Sequence, residues 1–401
     1  MARIHPFRAR RPDPQQAPDV ASLPYDVVSA EEARGLAEGK PHSFLHVIRP
    51  EIDLPEGTPF DDDRVYRQGA ENLQDLFENG VLRRDTDRAV YLYRLVRGGR
   101  PQTGVFTCVS VDEYDRDLIR KHELTRPDKE DDRTRHILTQ SAHAEPVMLT
   151  FKPKDKVGKL MEEAQRERDP LYDFEAEDGV RHTLWKITDT APWEEAFGEV
   201  PLLYIADGHH RCKSASRAAA ELEKGGAGEE GEHRFFPAVL FPMDQMEILP
   251  YNRLVYKVPA DFRETLEKRY RVEPSEHPAP GGKGSVCLYH RGTWLRLELP
   301  LDEDPGPVQR LDVYRLQKHV LEPMLDISDP RRDTNITFVG GIRGTDELQR
   351  RVDDGEADLA VSMYPTAIEE LVAVADAGEL MPPKSTWFEP KLRSGLLVHT
   401  F

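Results

Sequence analysis

Four ionisable side chains follow one another around a single glycine in Asp207-Gly208-His209-His210-Arg211, which gathers a carboxylate, two imidazoles and a guanidinium at one point of the chain. The apolar run from Leu202 to Ala206 predicts a buried strand before them, and the run from His209 to Lys224 predicts a helix after them. A helix start leaves several backbone N–H groups without intrahelical partners and carries positive partial charge. Gly208 removes the Cβ that would keep an anion from that backbone. The chemistry this suggests is phosphate handling. Asp207 also suits a magnesium ion held partly through water. The plain alternative makes Asp207 a helix N-cap and the other three ordinary surface groups. Adjacent histidines on a helix diverge, and no HExxH motif or cysteine pair supports a zinc site.

A second constellation runs from Lys121 to His136. Pro127 suits a first helical turn, and the helix it opens places Lys129, Arg133, His136 and Gln140 on one face at spacings of four, three and four. That stripe reads either as a phosphate track or as a solvated face whose cations pair with Glu130 and Asp132. Glu123, just outside the helix, is a candidate general base. The glycine-rich stretch Thr337 to Gly344 lacks GxGxxG spacing, so a tight turn explains it equally well. Near the C-terminus, Lys384, Ser385 and Thr386 lack the glycines of a P-loop, which excludes Walker-type cradling. The surrounding prolines, with Trp387 and Phe388, favour a packed segment that delivers those three residues into a cleft.

The elements that must position these groups are partly legible. Ser29 and Glu32 form a capping box opening a helix across Ala30 to Gly39. Phe44 to Ile48 reads as a strand, and Arg64 to Asn79 as a helix. Hairpins are expected across Gly98-Gly99, Asp178-Gly179 and Arg291-Gly292. A strand is expected at Val147 to Phe151, a flexible loop at Gly225 to Gly231, and a helix over Val308 to Leu325. Strands and helices mix without βαβ alternation, which predicts an α+β fold with mixed sheets. Weak composition breaks suggest regions 1–255, 256–304 and 305–401.

Composition sets the outer limits. The 401 residues carry a formal net charge of −18, with 32% charged and 38% hydrophobic residues. Such an acidic surface argues against nucleic acid and acidic membranes as partners. No run of eighteen apolar residues predicts a membrane span, and no apolar stretch at the N-terminus predicts a secretory signal. Three scattered cysteines, Cys108, Cys212 and Cys287, fit a reduced, cytoplasmic setting.

Several tracts together resemble one bacterial family, domain of unknown function 1015. They are Pro24 to Ser29, Ser43 to Glu51, Lys121 to Arg133, Ala206 to Arg211, Leu249-Pro250-Tyr251-Asn252-Arg253, and Pro382 to Gly395. The resemblance covers nearly the whole chain. Its Asp-Gly-His-His-Arg turn is similar to that of free L-serine kinases built on the ParB/sulfiredoxin fold, where a Gly-x-x-Arg turn at a helix start grips nucleotide phosphates. Sulfiredoxin chemistry would need a cysteine where His209 stands. ParB carries Glu-Arg-Arg after its glycine and binds DNA, and neither its helix-turn-helix pattern nor a basic surface is evident here.

The resemblance therefore implies a small-molecule kinase. It would use ATP or ADP with Mg2+ to phosphorylate a free hydroxylated metabolite, L-serine first. Glu123 would be the base; Asp207 and His209 would sit at the reacting centre, with Asp207 also at the metal. Gly208, His210, Arg211, Lys129, Arg133, His136, Lys384, Ser385 and Thr386 would hold the nucleotide. Arg126 or Arg343 would clamp the substrate carboxylate. A regulatory nucleotide-binding module and a metal-dependent phosphoesterase are the competing classes.

Overall fold

The computed structural model describes residues 2–228 and 230–401. Met1, and Glu229 of the expected Gly225–Gly231 loop, lie outside the described residues. The chain forms two compact units, the first made of Met1–Lys121, Thr125–Met246 and Pro390–Phe401, the second of His122–Leu124 and Glu247–Glu389.

The first unit is built on a nine-stranded mixed sheet. Leu203–Asp207 runs parallel to Ile119–Arg120 and antiparallel to Val147–Phe151, which is itself parallel to Phe235–Pro242. The remaining strands add antiparallel through Arg100–Ser110, Val90–Arg97, Arg181–Ile187 and Tyr172–Glu175, with Ile4–His5 antiparallel against Arg100–Ser110. Both expected hairpins of this unit are present. Leu92, Val105, Leu149, Phe151, Trp185 and Ile205 are buried in one core cluster, and Cys212 and Ala215 of the His209–Lys224 helix join it. That packing fixes where the helix begins relative to the strand before it.

A second core cluster of this unit gathers Tyr25, Phe44, Leu45, Val47, Leu73 and Leu76. Here the expectation of a strand at Phe44 to Ile48 is wrong. Leu45–Ile48 is a single helical turn, with Leu45, Val47 and Ile48 all buried. Burying three apolar side chains against the Asp63–Glu78 helix outweighs the β preference of Val and Ile, which is weak and depends on context. The Ser29–Glu32 capping box is present in both directions.

The second unit holds a six-stranded antiparallel sheet in the order Val272–Pro274, Thr293–Glu298, Ser285–His290, Leu359–Ser362, Tyr251–Val255 and Ile336–Gly340. Trp387–Glu389 pairs with Glu247–Leu249, so the Pro-braced segment is a strand and not a trailing tail. The helix expected over Val308 to Leu325 starts later, at Asp312, and widens at Gln317–Leu321. Two glycines of the Thr337–Gly344 stretch, Gly340 and Gly341, serve packing. A Cβ at Gly340 would lie 2.8 Å from the Trp387 ring, and one at Gly341 would lie 2.5 Å from the Pro250 carbonyl. The protein is thus α+β with mixed sheets, and among its described residues no helix is long and apolar enough to cross a membrane.

Candidate active site

The Leu203–Asp207 strand ends with a register shift between Ile205 and Asp207 against its neighbour. Gly208 follows in the left-handed region at φ 104° and is itself the N-cap of the His209–Lys224 helix. Asp207 is therefore not the cap. The helix start carries no side-chain cap at Gly208 and no acidic residue in its first turn. A Cβ on Gly208 would sit 3.0 Å from Val147 Cγ1 and 3.1 Å from Arg211 Nε. Glycine is required by the backbone angle, and the close approach of Arg211 reinforces it.

Arg211 is buried, and its guanidinium organises the turn. NH2 lies 3.1 Å from Asp207 Oδ2 and 3.9 Å from Asp26 Oδ2, while NH1 donates to the Pro146 carbonyl. Burial by itself would lower the Arg211 pKa, but Asp26, Asp207 and Glu145 outweigh it and hold the group more firmly protonated than usual. Lys391 places Nζ 3.8 Å from the same Asp207 oxygen. Asp207 is thus a partly exposed carboxylate set between two cations beside an uncapped helix start.

The Pro127–Gln140 helix has Pro127 at its first position, as expected. Its four stripe residues do not form a solvated face. Arg133 and His136 are buried. Arg133 pairs with Asp132 at 2.8 Å, approaches Glu145 at 3.8 Å and lies 4.1 Å over the Tyr25 ring. Burial, helped by Arg133 and Arg135, pulls the His136 pKa well below its usual value, so its imidazole is neutral. Gln140 donates to the Val47 carbonyl at 3.1 Å, and Lys129 lies 4.8 Å over Phe60. Arg133, His136, Glu145 and Arg211 together line a cavity of about 40 Å³. Burial raises the Glu145 carboxyl above its ordinary range despite Arg211 and Arg133. Glu145 accepts from Tyr25 N–H at 3.0 Å, tying the Pro24–Ser29 tract to this network.

His209 is buried, whereas His210 is half-buried and accepts from the Arg126 N–H through Nε2 at 3.0 Å. That bond joins the starts of the two helices, since Arg126 is the N-cap position of the Pro127–Gln140 helix. The Arg126 guanidinium is engaged by Asp128 at 3.1 and 2.8 Å, which occupies it as a carboxylate clamp.

The other expected site residues belong to the second unit. Glu123 is half-buried in the His122–Leu124 segment, where the His122 carbonyl accepts from Met381 N–H at 2.8 Å. Arg343 is exposed at a helix start. Lys384 is exposed, with Nζ 5.3 Å over the Tyr251 ring. Ser385 is buried, its hydroxyl donating to the Pro382 carbonyl at 2.6 Å, and Thr386 is half-buried.

Lys391, Tyr25 and Glu145 surround the Asp207 turn without having been singled out as site residues, and so does Asp26, which the sequence offered either as a functional group or, in preference, as a cap. Asp26 and Tyr25 lie in the Pro24–Ser29 tract and Lys391 in the Pro382–Gly395 tract, so the tracts themselves were the available signal. Glu145 stands in no spacing pattern. Among the described residues no group of three or more His, Cys, Asp or Glu is placed to cage a metal. Asp207 and Asp26 both face one guanidinium nitrogen of Arg211.

No curated protein matches the sequence. Among solved structures, the chain is similar to a free serine kinase in complex with AMP, at 14% identity and TM-score 0.37 over 73% of this chain and 92% of that one. It is also similar to SbnI with C-terminal truncation from Staphylococcus aureus, at 15% identity and TM-score 0.38 over 73% and 87%. A conserved hypothetical protein from Pyrococcus furiosus gives 15% identity and TM-score 0.36 over 73% and 95%. At these scores the likeness carries no functional weight. The family model is decisive: it matches residues 4–314, and the chain belongs to the protein family of unknown function DUF1015.

Proposed function

We propose that the Asp207–Arg211 turn binds the phosphates of ATP or ADP and that the protein transfers a phosphoryl group to a small hydroxylated metabolite, free L-serine first. The observation that carries this reading is the helix start behind Gly208. It has neither a side-chain cap nor an acidic first turn, and it adjoins an Asp207 carboxylate set between Arg211 and Lys391. Backbone N–H groups there suit phosphate oxygens, and Lys391 adds a point charge. The similarity of this turn to that of ParB/sulfiredoxin-fold kinases supports the same assignment. The buried thiols Cys108, Cys212 and Cys287 fit a cytoplasmic enzyme.

In the transfer, the acceptor hydroxyl oxygen forms a bond to the terminal phosphorus while the bond from phosphorus to the nucleotide oxygen breaks. The hydroxyl proton passes to a carboxylate, the role that the resemblance gives to Glu123. Such a base contributes ~10²–10⁴-fold. Positioning and charge neutralisation supply most of the rest. Magnesium, held by Asp207 with Asp26 close by, would neutralise phosphate charge. Arg211, whose charge is balanced by three carboxylates, keeps Asp207 and the turn in place.

The test is phosphorus NMR of the purified protein with ATP or ADP and each free amino acid. Phosphoserine appearing at the expense of nucleotide supports the reading. Nucleotide binding without any phosphorylated acceptor would instead favour a regulatory module.

A further inference from the structure

Among the described residues five arginines are buried: Arg133, Arg211, Arg253, Arg315 and Arg393. Four have a carboxylate partner, at 2.8 Å for Asp132, 3.1 Å for Asp207, 3.1 Å for Asp312 and 2.5 Å for Asp178 respectively. Arg253 is the exception. It is 3% exposed, and the described residues place no carboxylate within ion-pair distance of it. Its guanidinium donates to the backbone carbonyls of Tyr251 and, at 3.0 Å, Lys384, and lies 5.4 Å from the Phe338 ring. Burial pushes its pKa down to about 9, so it is still a cation at neutral pH. Carbonyl dipoles satisfy two of its five donors but leave a full positive charge without a counter-charge, which a protein interior tolerates poorly.

A second cation stands at the same place. Lys384 sits in the left-handed region at φ 56° on an exposed turn, its carbonyl on Arg253 and its ammonium 5.3 Å over Tyr251. Tyr251 is flanked in turn by Phe338 and Trp387, with ring centroids 5.9 and 5.1 Å away. The Leu249–Arg253 tract, prominent in the sequence, has no part in the function proposed above.

We infer that Arg253 and Lys384 form a binding site for an oxyanion, the phosphate or carboxylate group of a small molecule, that supplies the counter-charge Arg253 lacks. The guanidinium fork matches either group, and Lys384 adds a point charge from the solvent side. Lys384 is exposed, and its carbonyl accepts from the buried Arg253 guanidinium. This site lies wholly within the second unit and does not depend on the Asp207 turn.

The experiment titrates the full-length protein with inorganic phosphate and, separately, with acetate. Calorimetry and Tm are read against sodium chloride of equal ionic strength. At least one of the two anions is expected to bind saturably and raise Tm. Lys384→Ala, a change at an exposed position, should weaken that binding ~10-fold or more, as loss of a charge-assisted contact does. Arg253→Met should abolish it, and Gly208→Ala should leave it intact. A phosphate response alone assigns a phosphate group, and an acetate response a carboxylate. The inference is overturned if neither anion acts beyond the salt control. It is overturned equally if Lys384→Ala binds as wild type, a result that decides the matter even should Arg253→Met fail to fold. A phosphate response lost in Gly208→Ala but kept in Lys384→Ala would belong to the first-unit turn and also refute it.

Discussion

Arg211 reaches back one helical turn to Asp207, its NH2 group 3.1 Å from the Asp207 carboxylate. The residue that sequence reasoning assigns to a bound phosphate is thus engaged by the protein itself. A guanidinium buried against Asp207, Asp26 and the Pro146 carbonyl holds the turn in one geometry.

Removing that guanidinium should therefore cost stability before it costs affinity. Arg211→Ala leaves buried Glu145 facing fewer cations and should destabilise the fold by ~3–5 kcal/mol, the usual cost of breaking a buried charge pair. Urea unfolding measures it. A loss below ~1 kcal/mol would indicate an exposed, ligand-facing arginine instead.

Two glycine substitutions should differ in sign. Gly208→Ala forces an L-residue to φ 104° and sets its Cβ against Val147 and Arg211, so it should destabilise by more than ~1 kcal/mol. Gly158 lies inside the Asp155–Glu167 helix, where an added Cβ meets nothing within 4 Å, so Gly158→Ala should stabilise by ~0.5–1 kcal/mol. Thermal melts of both variants make the comparison.

Glu145 should make stability depend on pH. Burial raises its carboxyl pKa in the folded state above the ordinary value it keeps in the unfolded chain, so between the two values the folded protein binds more protons than the unfolded chain. Its contribution to stability therefore falls as pH rises through that window and returns as pH drops back. Unfolding free energies of wild type minus Glu145→Gln should decline from the acidic to the neutral side of the window. A difference that rises with pH would mean that Arg133 and Arg211 dominate the site.

How much of this could be read from the sequence depended on whether a residue's role was local. The helix start at His209, the capping box at Ser29 and Glu32 and the hairpin at Gly98-Gly99 were legible, because each rests on neighbours a few positions apart. The turn at Leu45–Ile48 was not, since its helical state comes from packing on Leu73 and Leu76. The stripe Lys129–Arg133–His136–Gln140 has the spacing expected. Which way it faces was set by Tyr25, Glu145 and Val47, remote in sequence, and they turn Arg133 and His136 inward. Lys391 reaches Asp207 from 184 positions along the chain, a distance no local pattern spans.

Glu123→Gln separates chemistry from binding. If the resemblance assigns the base correctly, turnover should fall ~10²-fold or more while ADP affinity stays near that of the wild type. Single-turnover kinetics alongside calorimetry read both quantities. Unchanged turnover would remove Glu123 from the mechanism.

The central claim is that the Asp207–Arg211 turn holds nucleotide phosphates, and calorimetric titration with ADP and with adenosine tests it most directly. Saturable ADP binding is expected, with much weaker adenosine binding and an ADP affinity ~10-fold or more lower in folded Gly208→Ala, where a Cβ intrudes on the helix start. Equal affinity for ADP and adenosine, or ADP affinity unchanged by Gly208→Ala, would contradict it.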